Sequence, residues 1–379
     1  MDQPSIYSED KDQEAYLSRL TIVVPTYQRQ SHALATVKFW SGRGPRLLVL
    51  DGSPTPVKDE GLFDSAKGVT YLHLPESIQF RLTHCAQHIQ TDYVTLMGDD
   101  EMLMPSSLAA SIQELDHKPE LVSCLGWSVG FRLHSRKGSV TRIEGISGYS
   151  GLHFLDNNQE SAQERLLAHF GRYVPSNIYS VVRANAFLNA IKLINSPGAR
   201  VYAMAEIEFE IAVLYQGGNR VLPNLHWLRN AGDSGTHGKD DPDTNPQKLF
   251  FECFLDPEYS GWREEFLSTR SQILASIDGQ EETQVRIWLE DALQLYSEKI
   301  AQSQTNTTVT SRYSFLWRKA VRAFLRAPHR RDQARKVLNA VTRKDPGPSL
   351  QEFVRNLSLS GMDYSEEELA QVMEERFQG

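Results

Sequence analysis

Leu20-Thr21-Ile22-Val23-Val24-Pro25-Thr26-Tyr27-Gln28-Arg29 is the stretch on which the reading turns: a short apolar run, then a proline and a polar turn. A run that is apolar on both faces, without alternation, reads as a strand covered on both sides, as strands of a parallel sheet are. Similar runs recur at 46–50, 69–74, 93–97 and 121–131. Helical patterns separate most of them, at 31–40, 79–90 and 106–116. This alternation predicts an α/β sheet with crossover helices.

On either side of this pattern, residues 1–19 read as a polar leader, and 135–161, rich in Gly, Ser and Asn, as loop or short edge strands. Helical stretches follow near 161–170, 184–194 and 205–216, with a strand-like piece at 178–182. The last helix is expected to stop at Gly217-Gly218 before a strand resumes at 220–222. Residues 230–246, dense in Gly, Asp, Asn and Pro, are expected as a lid or a disordered loop. A helical pattern covers 250–300, a polar linker 302–311 and an acidic helical tail 349–379. The expected division is therefore a leader at 1–19, an α/β domain at 20–235, a lid loop and helical extension at 236–310, and a basic helix with acidic tail at 311–379.

Composition narrows the function classes. The 379 residues carry 48 acids against 40 bases, a net charge of −8, and 40% are hydrophobic, as in an ordinary globular protein. No apolar run approaches the roughly 20 residues that span a bilayer. Cys85, Cys124 and Cys253 are odd in number and lack metal-ligand spacing, so they read as reduced thiols. The acidic, polar start, Met1 to Glu14, is not a secretory pattern, and the expected location is the cytoplasm. Neither Gly-x-Gly-x-x-Gly nor a Gly-Lys-Ser/Thr loop occurs, which speaks against a Rossmann dehydrogenase and a P-loop NTPase.

In open parallel sheets ligands bind beyond the carboxyl ends of the strands. Three turns would share that edge: Pro25-Thr26-Tyr27-Gln28-Arg29, Asp51-Gly52-Ser53-Pro54 and Gly98-Asp99-Asp100-Glu101. Asp51 alone is also an ordinary turn former. Three carboxylates after a buried strand are costly unless solvated, paired or bound to a cation, and their hard oxygens suit Mg²⁺ or Mn²⁺. A solvated acidic turn is the bland alternative, but convergence of all three turns is harder to explain as turn chemistry alone.

These residues resemble a GT-A glycosyltransferase of the family 2 type: the segment 21–29, then Leu48-Val49-Leu50-Asp51-Gly52-Ser53, then Tyr93-Val94-Thr95-Leu96-Met97-Gly98-Asp99-Asp100-Glu101 with Pro105. The resemblance spans about residues 20–229. It implies a nucleotide-diphospho-sugar transferase fold, with a Rossmann-like mixed sheet and here a helical C-terminal extension. It further implies a nucleotide-sugar donor, most often a UDP-sugar, bound with Mn²⁺ or Mg²⁺. By the same resemblance Pro25, Thr26 and Arg29 line the nucleotide, Asp51 contacts base or ribose, and Gln79 and Arg81 begin the helix crossing the donor site. Asp100 matches the last Asp of the Asp-x-Asp motif. Gly98 stands where its first Asp is usual, so Asp99 is the substitute ligand, also facing the donor.

A second element, Ala205-Glu206-Ile207-Glu208-Phe209-Glu210 ahead of Gly217-Gly218, resembles the helix start that carries the catalytic base of inverting members. Glu206 is the first candidate and Glu208 the second, although acids at a helix start are also common dipole partners. The family's Arg-x-His pattern after this helix is broken, because Ala231 stands two residues beyond Arg229. His237 in the next loop is the candidate to reach the metal or diphosphate; the plainer alternative is a solvated histidine. Residues 172–177 fall where acceptor contacts are expected, for a glycan or lipid-linked hydroxyl.

Arg312 to Lys344 holds 11 basic residues against one acid, with Tyr313, Leu316, Trp317, Ala320, Val321, Phe324 and Leu325 at helical spacing. Such a helix suits the anionic inner face of the cell membrane. Alternatively it packs internally against the acidic remainder of the chain. No binding motif accompanies the charge, so no nucleic-acid partner is expected. Two rivals to the transferase exist: a nucleotidyltransferase, which lacks its Gly-rich basic loop here, and a catalytically silent scaffold, which the departures at Gly98 and Ala231 would allow.

Overall fold

The computed structural model describes residues 10–58, 60–136, 139–149, 151–152, 155–197, 202–232, 254, 256–300 and 347–378. His237, Cys253 and the basic segment from Arg312 to Lys344 lie outside the described residues.

Nine strands form one mixed sheet among the described residues: β1 (Leu20–Thr26), β2 (Arg46–Asp51), β3 (Val69–His73), β4 (Tyr93–Leu96), β5 (Met102–Leu103), β6 (Leu121–Arg136), β7 (Ser139–Ser147), β8 (Val181–Arg183) and β9 (Gly218–Asn230). Their order is β3-β2-β1-β4-β8-β6-β9-β5, with β7 paired to β6. β3, β2, β1 and β4 are mutually parallel, whereas β8 runs antiparallel to both β4 and β6. The mixed α/β sheet with a helical extension is the fold class expected from the sequence.

β1 shows why this pattern gives this sheet. Leu20, Ile22 and Val24 join the core on one face and Val23 the core on the other, and all are buried. The first core is closed by α1 (Asp10–Leu17), α2 (Gln30–Trp40), α3 (Glu60–Ser65) and α5 (Pro105–His117). The second is closed by α4 (Ile78–Cys85), α6 (Ala162–Phe170), α7 (Ala184–Ile194), α8 (Tyr202–Gln216), α9 (Ser260–Asp278) and α10 (282–300). Cys85 and Cys124 are buried thiols, as the sequence reading expected.

The helical tail also belongs to this body. α11 (Leu350–Ser358), α12 (Glu366–Val372) and a π-helical turn at Met373–Gln378 return to the face that α2 and α5 cover. Ser106 donates through both its backbone N–H and its hydroxyl to Glu368, at 2.7 and 2.6 Å. Arg43 pairs with Glu375 at 2.5 Å, and the Phe377 ring lies 4.6 Å from that of Phe131.

Three local readings change. The resumed strand is not confined to 220–222: it runs from Gly218 to Asn230, pairing in parallel with β6. The leader read at 1–19 is helical from Asp10 to Leu17, and Leu17 is buried in the core, whereas the Gly/Ser-rich 135–161 region holds a strand of the kind expected there, β7, paired to β6. The stretch 178–182 divides into a 3₁₀ turn at Asn177–Tyr179 and the short β8.

Candidate active site at the carboxyl edge of the sheet

The strands β1, β2 and β3 step one way across the sheet and β4 lies on the opposite side of β1, so a crevice opens beyond the ends of β1 and β4. The two turns that close it are tied directly. Thr26 donates its hydroxyl to Asp99 at 2.7 Å. Arg29 lies across both acids, 3.2 Å from Asp99 and paired also with Asp100. Asn230, at the end of β9, donates to Asp100 at 3.0 Å.

Asp99 and Asp100 differ in setting. Asp99 is 3% exposed, and its carboxyl is pushed up to about 6, chiefly by burial, against the pull of Thr26 and Arg29. The Asp100 side chain retains 12% exposure. Glu101 turns inward, accepts from Trp227 Nε1 at 3.0 Å, and is pushed up to about 8 by burial and by Asp100. Its side chain also accounts for Gly98: a Cβ there would sit 3.0–3.1 Å from Glu101 atoms.

Behind the turn stands Arg376. It donates to the Asp99 carbonyl, which also accepts from Thr36 at 3.2 Å. Burial lowers its guanidinium to about 10, while Asp99 and Asp100 oppose that shift. Two guanidiniums thus face two carboxylates.

The turn after β2 is built around Asp51, which is fully buried. It accepts from the Ser53 N–H at 2.8 Å, Tyr71 Oη at 2.7 Å and Gln30 Nε2 at 2.9 Å. These donors hold its carboxyl below the usual range although burial works the other way. Ser53 in turn accepts the N–H of Gln28, whose φ of 54° gives the β1 turn its left-handed step. Pro25 is in register with Leu50 on the neighbouring strand. Arg81 is 6% exposed and donates Nη1 to the carbonyls of Thr26 and Leu50, at 2.8 and 2.7 Å. It therefore clamps the ends of β1 and β2, and Gly52 is small because a Cβ would meet that guanidinium at 2.6 Å. Gln79 lies half-buried in the first turn of α4.

α8 separates the two candidate bases. Glu206 is half-buried and pushed up to about 7, first by burial, then by Glu210 one turn on, with Arg229 opposing. Arg229 also lowers Glu101, and its guanidinium lies 4.8 Å from the centre of the Tyr149 ring. Glu206 thus adjoins the end of β9 that reaches Asp100 through Asn230. Glu208 is not at this edge. It is fully buried and pairs with Arg270 of α9 at 2.5–2.7 Å, so it ties helix to helix. Its neighbour Glu210 is likewise internal, accepting from Ser176 N–H at 2.8 Å and Asn177 Nδ2 at 2.7 Å. These bonds turn the predicted acceptor-side segment 172–177 toward the core at its end. His226 is buried and neutral, lowered to about 4, between Ser107 and the Tyr179 carbonyl.

A divalent ion would find hard oxygen ligands in Asp99 and Asp100, the chemistry that suits Mg²⁺ or Mn²⁺. Among the described residues no group of three or more His, Cys, Asp or Glu converges on one point. An ion at this turn would therefore draw further oxygens from a bound molecule, as Mg²⁺ does with substrate phosphates. Two other clefts, of about 610 and 730 Å³, lie elsewhere: one around Arg19, Asp92 and Asp116 at the opposite ends of β1 and β4, the other between α1, α5 and α12.

Sequence reasoning gave Arg229 only as the arginine of a broken Arg-x-His pattern, and it missed Asn230, Gln30, Tyr71 and Arg376. Arg229 and Asn230 close a strand, which is a signal of the kind that singled out the other turns. Arg376 stands 277 residues from Asp99 and had no local signal.

No protein-family model and no curated protein matches the chain. Among solved structures it is similar to residues 1–349 of S. aureus TarS, with 10% identity, 75% of this chain and 91% of that one covered, and a TM-score of 0.41. A TarS structure in complex with UDP-GlcNAc gives 11%, 75%, 92% and 0.43. A structure described as a mycobacterial protein gives 12%, 73%, 79% and 0.36. At these values the likeness is one of chain path, and no property passes from those proteins to this one. Among the described residues no helix is long and apolar enough to cross a membrane.

Proposed function

We propose that this protein is a glycosyltransferase that moves a sugar from a nucleotide-sugar, a UDP-sugar first, to a hydroxyl of a glycan or lipid-linked acceptor. What supports this reading is the Arg29-bridged Asp99–Asp100 pair at the sheet edge, with the half-buried Glu206 under the charge of Arg229, whose neighbour Asn230 donates to Asp100. The sequence resemblance adds the order of the three turns.

In this proposal the nucleotide lies over Pro25, Thr26 and the turn after Asp51, whose carboxylate holds the loop in shape through Ser53 and Tyr71. Arg29 exchanges its carboxylate partners for the donor's diphosphate. Mn²⁺ or Mg²⁺ held by Asp100, with Asp99 beside it, supplies electrostatic stabilisation of charge on the diphosphate. Glu206 accepts the proton of the acceptor hydroxyl, whose oxygen forms the new bond to the anomeric carbon. The bond from that carbon to the diphosphate oxygen breaks, and its electron pair leaves with the nucleoside diphosphate. Attack from the opposite face inverts the centre. His237 remains a candidate contact to metal or diphosphate, and the segment Arg312 to Lys344 a candidate contact to an anionic membrane at the cytoplasmic face.

Titration calorimetry with UDP in Mn²⁺ and in EDTA tests the reading. Metal-enhanced binding that Asp100→Ala reduces at least about tenfold is expected, since one charge-assisted contact contributes roughly 1.5–3 kcal/mol. No binding of UDP, GDP, CDP or TDP in either condition overturns it in favour of the silent scaffold.

A further inference from the structure

Arg376 is a charged side chain that the proposed chemistry leaves unused. It is 6% exposed, yet its described hydrogen bond is a single one, to the Asp99 carbonyl, and its Nε–H is buried without an acceptor among the described residues. Burying a guanidinium with so few hydrogen bonds is unfavourable unless nearby opposite charge offsets it. The nearby opposite charges are Asp99 and Asp100. The turn that carries Arg376 is fastened independently, by Phe377 on Phe131 and Glu375 on Arg43. Its position is therefore set by contacts other than the acids it faces.

Arg29 pairs with the same acids and is the more open of the two cations, with 17% of its side chain exposed. Were it their sole cation, two carboxylates would hold it, and a diphosphate would have to compete with both. A second fixed positive charge weakens that hold.

We infer that Arg376 is a positioning residue for the donor site: its buried charge balances the Asp99–Asp100 pair, so that Arg29 can exchange those carboxylates for the diphosphate of an incoming nucleotide. The inference rests on the nucleotide-binding reading above, and adds to it a segment that lies outside the sheet's own turns. It makes a distinction that a purely structural role does not. Loss of the charge affects ligands carrying phosphate and spares the bare nucleoside.

The experiment uses the full chain and its Arg376→Gln and Arg376→Lys variants, each titrated with UDP and with uridine in EDTA. Ligand-observed NMR serves for the weaker nucleoside. Arg376→Gln is expected to weaken UDP about tenfold while uridine changes less than about twofold, the former being the scale of one charge-assisted interaction. Arg376→Lys is expected to recover most of the loss. Adding Asp99→Asn to Arg376→Gln restores the charge balance, and is expected to recover part of the UDP affinity. Unchanged UDP affinity in Arg376→Gln, parallel loss of UDP and uridine, or a lysine variant as weak as the glutamine one would each overturn the inference and leave the transferase reading standing. Absence of any nucleotide binding by the unaltered chain would remove the transferase reading itself, and the inference with it.

Discussion

The setting of Glu206 leads to a prediction that needs no acceptor to test. A carboxylate must be ionised to take a proton, and an ordinary glutamate is almost wholly ionised at pH 6. Glu206 is pushed to about 7 by burial and by Glu210. With that value about 9% of the molecules carry the base at pH 6 and about 91% at pH 8, so kcat/KM rises about tenfold over the interval. The sign follows from the role: a base gains activity as the pH rises through its own pKa, whereas a general acid would lose it. The assay is release of UDP from UDP-sugars onto water, followed from pH 5.5 to 8.5. Arg229 lowers the same carboxyl, so Arg229→Gln moves the limb to higher pH. Glu206→Gln should abolish the limb with UDP binding retained. A profile flat between pH 6 and 8, or a limb that survives in Glu206→Gln, refutes the assignment.

Three further outcomes are expected. Glu208→Ala leaves Arg270 buried without its carboxylate and should destabilise the fold by about 3–5 kcal/mol in urea titrations, with UDP affinity of the folded fraction little changed. Gly98→Asp, which restores the acid usual in the resembling family, crowds Glu101 and its bond to Trp227; overpacking of this kind costs about 1–3 kcal/mol, read as a lowered melting temperature. Glu101 has a folded pKa raised to about 8, so its stabilising share is present at low pH and is lost as the pH rises through 8. Glu101→Gln should therefore improve stability more at pH 8.5 than at pH 5.5, measured by urea unfolding at both.

Much of this architecture is legible in the chain because its signals are local. Apolar runs such as 20–24 and 46–50 give buried parallel strands, and the polar residues following them mark the edge where Thr26, Arg29, Asp99 and Asp100 meet. What sequence leaves open is direction and distance. Glu206 and Glu208 are two residues apart and equivalent as text. The helix turns them to different sides, one toward Arg229 and the other onto Arg270. Arg81 carries the charge expected of a donor contact, and only the fold shows that its Nη1 also joins the ends of two strands. The full length of β9 is hidden by Pro223 and Asn224, which look like breakers: they sit in a bulge that β6 does not pair, where Asp363 bonds the backbone of Pro223 and Leu225, and pairing with β6 resumes at Leu225. Arg376 was silent for a different reason: its meaning lies in a contact across 277 positions.

That separation gives the molecule a timetable. Chains are synthesised at about 5–20 residues per second, so the acid turn leaves the ribosome some 14 to 55 seconds before the arginine that will stand behind it. During that interval β1 to β4 can pair and Arg29 can reach its acids, but the part of the α2–α5 face that takes α11, α12 and Phe377 is still without them. The contact between Arg376 and the acid turn can thus form only after that interval, and a molecule still waiting for it can already have these strands paired but not its finished charge balance.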